Sequence, residues 1–126
     1  MSISADENFA YVIRGRRPIH GTLVPGGNKN AALPMLAATL LADSPVELSN
    51  VPQIRDVAIM LELLASLGAA IEETAPMVWS IDASAATAKP LPAHLACEIR
   101  ASFLLAGPML ARHGIAELPR PGGDRP

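Results

Sequence analysis

A single cysteine, Cys97, occurs in 126 residues, which excludes an intramolecular disulfide and a cysteine-rich zinc site. Three histidines, His20, His94 and His113, are scattered without zinc-ligand spacing, so no metal centre is expected. Charged residues make up only 17% of the chain while 50% is apolar, a balance unlike that of a disordered acidic or basic tail. Ten Lys and Arg against twelve Asp and Glu leave a formal net charge of -2. The surplus of positive charge with which nucleic-acid proteins neutralise phosphates is therefore missing. Pro, Gly or a charge interrupts every apolar stretch well short of the roughly 18 residues that a membrane span requires. Residues 1–10 are polar and acidic where a secretion signal has a basic and then an apolar region. The expectation is a cytoplasmic protein with neither a nucleic-acid nor a membrane partner.

What is present suffices for one modest core, since a chain of this length buries roughly two-thirds of its extended surface. Residues 11–13 and 19–24 are apolar enough for two short strands around the basic turn Arg14-Gly15-Arg16-Arg17-Pro18. Pro25-Gly26-Gly27-Asn28 then marks a tight turn. An Ala- and Leu-rich helix is predicted over 33–41, with Pro34 in its first turn, where a missing N–H does little harm. Val46 and Leu48 on one face with Glu47 on the other read as a strand, followed by a turn over 50–53. Val57, Met60, Leu61, Leu64 and Leu67 recur at helical spacing; Asp56 suits the positive end of that helix and Gly68 its stop.

Residues 69–73 and 77–81 form a predicted hairpin about Ala75-Pro76, and 82–92 a connector of small residues ending in prolines. A last helix from near His94 to Gly114 would bury Ile99, Phe103, Ala106 and Leu110, turn Arg100 away from that line, and bend or divide at Pro108. Residues 115–118 alternate as a short strand would. The pattern as a whole predicts an α/β fold of repeated strand-helix units with helices packed on a sheet.

Three places can carry chemistry. Gly26-Gly27-Asn28-Lys29-Asn30 allows close backbone approach and offers a mobile cation and a planar amide ahead of a helix, a combination that can hold phosphate or carboxylate. It does not match the GxxxxGK[ST] pattern, so nucleoside triphosphate hydrolysis gains nothing from it; an ordinary turn with a surface lysine is the competing reading. Arg100, in a helix otherwise poor in charge, is either an anion-binding residue or a partner of Glu98. Pro121-Gly122-Gly123-Asp124 is either a glycine loop presenting a carboxylate or a solvent-facing turn. Cys97, beside Ala96, reads as a small core filler, and Trp79 as bulk on a strand face.

In order along the chain, Gly27-Asn28-Lys29-Asn30-Ala31-Ala32-Leu33-Pro34, Asn50-Val51-Pro52, Asp56-Val57, Leu67-Gly68-Ala69, Arg100-Ala101-Ser102, Gly107-Pro108, Ala111-Arg112 and Pro121-Gly122-Gly123 resemble the N-terminal part of the UDP-N-acetylglucosamine 1-carboxyvinyltransferases, the enolpyruvyl transferases of peptidoglycan synthesis. The resemblance covers nearly all of the chain after Phe9 and implies a longer protein of two similar α/β domains with the site in the cleft between them. On that basis 1–24 would belong to a first, incomplete domain and 25–126 to part of a second. The implied reaction moves the enolpyruvyl group of phosphoenolpyruvate to the 3-hydroxyl of UDP-N-acetylglucosamine, releasing phosphate, without a redox cofactor.

Residue by residue, the resemblance makes Lys29 and Arg100 ligands of the anionic reactants, Asn30 a positioning group for the sugar, and Asp124 the general acid toward the methylene carbon. The later repeats, a general-base carboxylate and further arginines would lie beyond these 126 residues, so the isolated chain is expected to be inactive or nearly so. Two alternatives accompany this reading: a non-catalytic, truncated domain, and a 3-phosphoshikimate 1-carboxyvinyltransferase relative, whose usual Gly-x-Lys-Ser differs from Lys29-Asn30.

Asp124 stands where that family usually carries a cysteine. An Asp with the reference pKa of about 3.9 must be protonated at a cost of roughly 4 kcal/mol to act as an acid at pH 7, unless burial or nearby anionic phosphate raises its pKa. A carboxylate also lacks the thiol that the family's epoxide antibiotic alkylates. Mass spectrometry of the treated protein should therefore find no covalent adduct at residue 124, and an adduct there would contradict the prediction.

Overall fold

The computed structural model describes residues 10–122. Its organising element is a 13-residue helix, α2 (Arg55–Leu67), with Asp56 in its first turn and Gly68 as a left-handed C-cap at φ 106, both as the sequence predicts. Met60, Leu63 and Leu64 on α2 are wholly shielded from solvent. The predicted stripe of Val57, Met60, Leu61, Leu64 and Leu67 is buried, and so are Ile59 and Leu63. The burial is wider than one stripe because α2 touches α1 (Lys29–Ala38), β2 (Ala70–Ala75), α3 (Ala93–Ala96) and a 3-10 segment (Arg100–Leu105). Only a narrow line through Arg55, Ala58, Glu62 and Ala65 faces solvent.

Helix α1 begins at Lys29, four residues before the predicted start, and buries Leu33, Leu36 and Ala37. A 3-10 turn (Thr39–Leu41) prolongs it and buries Leu40, completing the i, i+3, i+4, i+7 line from Leu33. The sheet is small and antiparallel, in the order β1-β3-β2. Strand β1 (Val46–Leu48) pairs with central β3 (Val78–Asp82) in the register Val46 to Ile81, and Glu47 faces solvent as expected. β2 and β3 form the predicted hairpin, shifted so that Pro76 and Met77 make the turn; a bulge lies between Glu73 and Ala75, and Met77 sits at φ 61. Ile81 on β3 is fully buried and Trp79 packs on the core from a half-buried position.

Several elements predicted from the sequence are overturned. Residues 11–13 and 19–24 form no strand; Tyr11 is 93% exposed and no ladder partner is present among the described residues. A short β-prone run becomes a strand only when an edge pairs with it. Residues 115–118 likewise form no ladder; one bond, from the Leu91 N–H to the Glu117 carbonyl at 3.1 Å, ties them down. The predicted last helix is three pieces: α3, the 3-10 segment and α4 (Ala106–His113). Pro108 is not the divider, since it sits in the first turn of α4, where no intrahelical N–H is needed. The break falls at Ile99, which is extended at φ -129, ψ 139.

At the end of β3 the Asp82 carboxylate accepts the Ser84 N–H at 2.9 Å. That bond and then the Ser84 side chain hold the Asp82 carboxyl below its ordinary value against an opposing effect of burial, and the Arg112 charge adds the smallest contribution. A depressed folded-state pKa gives stability that is present above the unfolded value of about 4 and is lost as pH falls through the folded value. Asp82→Asn should therefore flatten the acid limb of the stability-versus-pH curve relative to the parent chain, as measured by urea unfolding between neutral and acid pH.

Candidate functional site

Helix α1 starts where it does because Asn28 caps it. The Asn28 Oδ1 accepts the N–H groups of Asn30 at 2.8 Å and Ala31 at 3.2 Å, satisfying two of the donors that a helix start leaves open. Lys29 and Asn30 thus occupy the first turn, at the positive end of the helix macrodipole. Gly27 fixes the approach: a Cβ there would fall on the Asn50 carbonyl oxygen and lie 2.8 Å from Pro52 Cδ. The entry to α1 is therefore pressed onto the turn that leads into α2.

Pro34 proves to be inside α1 and not in its first turn. Its missing N–H leaves the Asn30 carbonyl without the usual i to i+4 donor, and both residues border the same cavity. That cavity, of about 680 Å³, is walled by Lys29, Asn30, Leu33 and Pro34 from α1, Asp56 from α2, and Arg100, Ala101, Phe103 and Leu104 from the 3-10 segment, with Pro121 beside them. Lys29, Asn30 and Arg100, far apart in the sequence, share it.

The 3-10 segment explains how Arg100 gets there. Its period of three turns Ile99, Ser102 and Leu105 inward, followed by Met109 on α4. The 3.6-residue period expected from the sequence placed Phe103 and Leu110 in the core, but they are 63% and 53% exposed. Phe103 is instead a cavity wall. The buried Ser102 hydroxyl is within 2.8 Å of the Ala96 carbonyl and 2.9 Å of the Ile99 carbonyl, which closes the turn just ahead of Arg100.

Two cations and one carboxylate make up the ionic lining. Lys29 Nζ meets Asp56 Oδ2 at 2.8 Å, with the two side chains 49% and 33% exposed. An exposed pair of this kind contributes only about 0–1 kcal/mol, so the ammonium can exchange Asp56 for a ligand anion at little cost. Glu98, the acid that the sequence offered as a partner for Arg100, pairs with Arg55 instead. Arg100 forms no ion pair among the described residues, and its guanidinium is available to an anion. Asp56 is the site residue that sequence reading missed: it was read only as a helix-start charge, and 27 positions separate it from Lys29 with no local spacing to betray their contact.

Pro121 borders this cavity, and Gly122 follows it against the Cys97 backbone. A Cβ on Gly122 would collide with the Cys97 carbonyl, and Cys97 Sγ lies 3.3 Å from the Arg120 carbonyl oxygen. Cys97 is the exposed C-cap of α3, not the core filler expected. Gly123 and Asp124, the proposed acid, lie outside the described residues. A second cavity of about 480 Å³ between the solvent line of α2 and the sheet is apolar, with Val57, Leu61, Ile71 and Trp79 in its wall; its cation, Arg55, is already paired.

The chain matches a solved structure described as the enolpyruvyl transferase NikO from Streptomyces tendae, with a TM-score of 0.66 and 32% identity over 72% of this chain and 21% of that one. The fold is thus the α/β fold of an enolpyruvyl transferase. Residues 13–125 match the family model described as EPSP synthase (3-phosphoshikimate 1-carboxyvinyltransferase). The chain belongs to that family. It is 50% identical over 114 residues to a UDP-N-acetylglucosamine 1-carboxyvinyltransferase from Bradyrhizobium diazoefficiens, and 46% identical over 114 residues to one from Treponema denticola. Each match takes in 90% of this chain but only 26% and 27% of those relatives, respectively; the chain spans about a quarter of their length. No helix among the described residues is long and apolar enough to cross a membrane.

The fit at Gly27 makes it a sensitive point. Gly27→Ala should destabilise the chain by about 1–3 kcal/mol, the usual range for overpacking, and shift the amide resonances of Lys29 and Asn30 more than those of α4. Urea unfolding and amide NMR spectra check both effects.

Proposed function

We propose that this chain forms the reactant-binding part of a UDP-N-acetylglucosamine 1-carboxyvinyltransferase, the enzyme that moves the enolpyruvyl group of phosphoenolpyruvate to the 3-hydroxyl of UDP-N-acetylglucosamine and releases phosphate, in peptidoglycan synthesis. The observation that carries this reading is the convergence of Lys29, Asn30 and Arg100 on one cavity. Relatives of that name, at 43–50% identity, support the choice of substrate. Within the reading, 25–126 is part of one domain of a two-domain transferase, 1–24 belongs to the other, and the protein is cytoplasmic.

Phosphoenolpyruvate carries a carboxylate and a phosphate. Two cations lining one cavity, one of them on a guanidinium fork suited to such groups, offset the repulsion of bringing a second anionic reactant alongside. Asn30 supplies both a donor and an acceptor to orient the attacking hydroxyl. The Asp124 carboxyl delivers a proton to the methylene carbon, which becomes a methyl group, as the hydroxyl oxygen bonds to the adjacent carbon and gives up its own proton to a base; loss of a methyl proton and departure of phosphate then form the enol ether of the product. Effective catalysis needs these groups and a base held in near-attack geometry. With about a quarter of the relatives' length, the 126-residue polypeptide binds but does not turn over.

The reading is tested by titrating the chain, followed by amide NMR, with phosphoenolpyruvate, UDP-N-acetylglucosamine and shikimate 3-phosphate. The first two should shift resonances around the cavity and the third should not; a response to shikimate 3-phosphate alone would favour the other transferase of the family. Lys29→Ala and Arg100→Ala should each weaken phosphoenolpyruvate binding by about 1.5–3 kcal/mol, the range for a hydrogen bond to a charged group. Phosphate release that requires both substrates, from the 126-residue chain alone, would refute the claim that it cannot turn over.

A further inference from the structure

Arg112 lies in the last turn of α4, on the far side of the fold from the site-bearing ends. Its Nη1 donates to the Leu40 carbonyl at 2.6 Å and the Ala42 carbonyl at 2.9 Å, and its Nη2 lies 3.4 Å from the Ser84 carbonyl. Leu40 and Ala42 terminate the rod made of α1 and its 3-10 extension, where the unpaired carbonyls carry the negative end of the helix dipole. The near end of that rod holds Lys29 and Asn30. Arg112 itself ends a second rod, the 3-10 segment running directly into α4, whose first residue is Arg100.

We infer that Arg112 is a positioning residue, bracing the far ends of these two rods so that their near ends hold Lys29 and Arg100 against one cavity. A single side chain spanning two carbonyls of one rod and one of the connector after β3 fixes an angle, and not merely a distance. Only a guanidinium has the planar fork to do this. Ser102 and the Gly27 backbone contact set each near end locally, but neither joins the far ends of the rods. The consequence for binding rests on the phosphoenolpyruvate reading above; the consequence for geometry does not.

The test uses the full 126-residue chain and begins without ligand. Amide residual dipolar couplings from α1 and α4 should report one relative orientation in the parent and a different one in Arg112→Met, which keeps the aliphatic stem and removes the donors. Arg112→Lys, with a compact ammonium in place of the fork, should show a smaller change in the same direction. Phosphoenolpyruvate affinity should fall about tenfold in Arg112→Met, the scale expected when positioned groups move by a fraction of an ångström. In the Lys29→Ala background the same substitution should cost less than in the parent, because one of the two cations it positions is already gone.

An unchanged orientation of α1 and α4 in whichever variant folds would overturn the inference. Additive losses in the double variant would overturn it too, and so would unfolding of both variants, which would make Arg112 a general stability residue. If the parent chain binds no phosphoenolpyruvate, the functional reading fails, while the orientation measurement still decides the role of Arg112.

Discussion

Burial of α2 on nearly all sides is the constraint on which the other features depend. Met60, Leu63 and Leu64 admit no solvent, so α1, β2, α3 and the 3-10 segment are each placed by what they pack against on this one helix. A helix with a single apolar stripe would position one neighbour; a helix buried round most of its circumference positions several, and their mutual angles follow. The candidate site is a consequence of that arrangement. Its α1 wall and its 3-10 wall both contact α2, which contributes Asp56 from its own first turn. Close-packed interiors leave little freedom for one wall to move without the other.

The electrostatics of the cavity complement this rigidity. The Lys29–Asp56 pair is exposed enough to be weak, while Arg55 draws Glu98 away from Arg100. One cation is held loosely in place and the other is left without a carboxylate partner among the described residues. A site that must receive a multiply charged anion gains from this combination. A buried, fully paired cation would have to break strong bonds before it could bind. An unpaired Lys29 would bear the side-chain entropy of an unrestrained ammonium until the ligand arrived.

Much of the fold could be read from residue order because it follows simple periods. Val57 to Leu67 on α2, Val46 and Leu48 on β1, and the glycine stop at Gly68 obey helix, strand and cap rules directly. The errors have a common physical source, which is that local pattern does not reveal a partner or a change of period. Residues 11–13 and 19–24 have strand composition but join no ladder among the described residues. Phe103 and Leu110 fit a 3.6-residue period that the chain abandons for a period of three at Arg100. Of the site, Lys29, Asn30 and Arg100 were nominated from their chemistry and the family resemblance, and the fold brings them to one cavity. Asp56 was not nominated, because a contact over 27 positions leaves no trace in spacing.

Several departures from regular structure lie close together, while others, the β2 bulge and the left-handed Met77 among them, lie elsewhere. Pro34 inside α1 and the 3-10 segment in place of an α-helix border the one cavity, and the close approaches at Gly27 and Gly122 lie within two residues of Lys29 and Pro121 in its wall. A proline in a helix interior costs about 3 kcal/mol where nothing compensates, and 3-10 geometry has poorer hydrogen bonds than α geometry. A chain selected only for stability would have little reason to gather such features in one place. Each has a local consequence useful to a binding site: an Asn30 carbonyl freed of its helical donor, Arg100 and Phe103 turned outward together, and two backbone contacts that a methyl group would forbid. Local rules fail where the geometry serves something other than the core, and here the failures at Pro34 and at the 3-10 segment lie in the wall of the site.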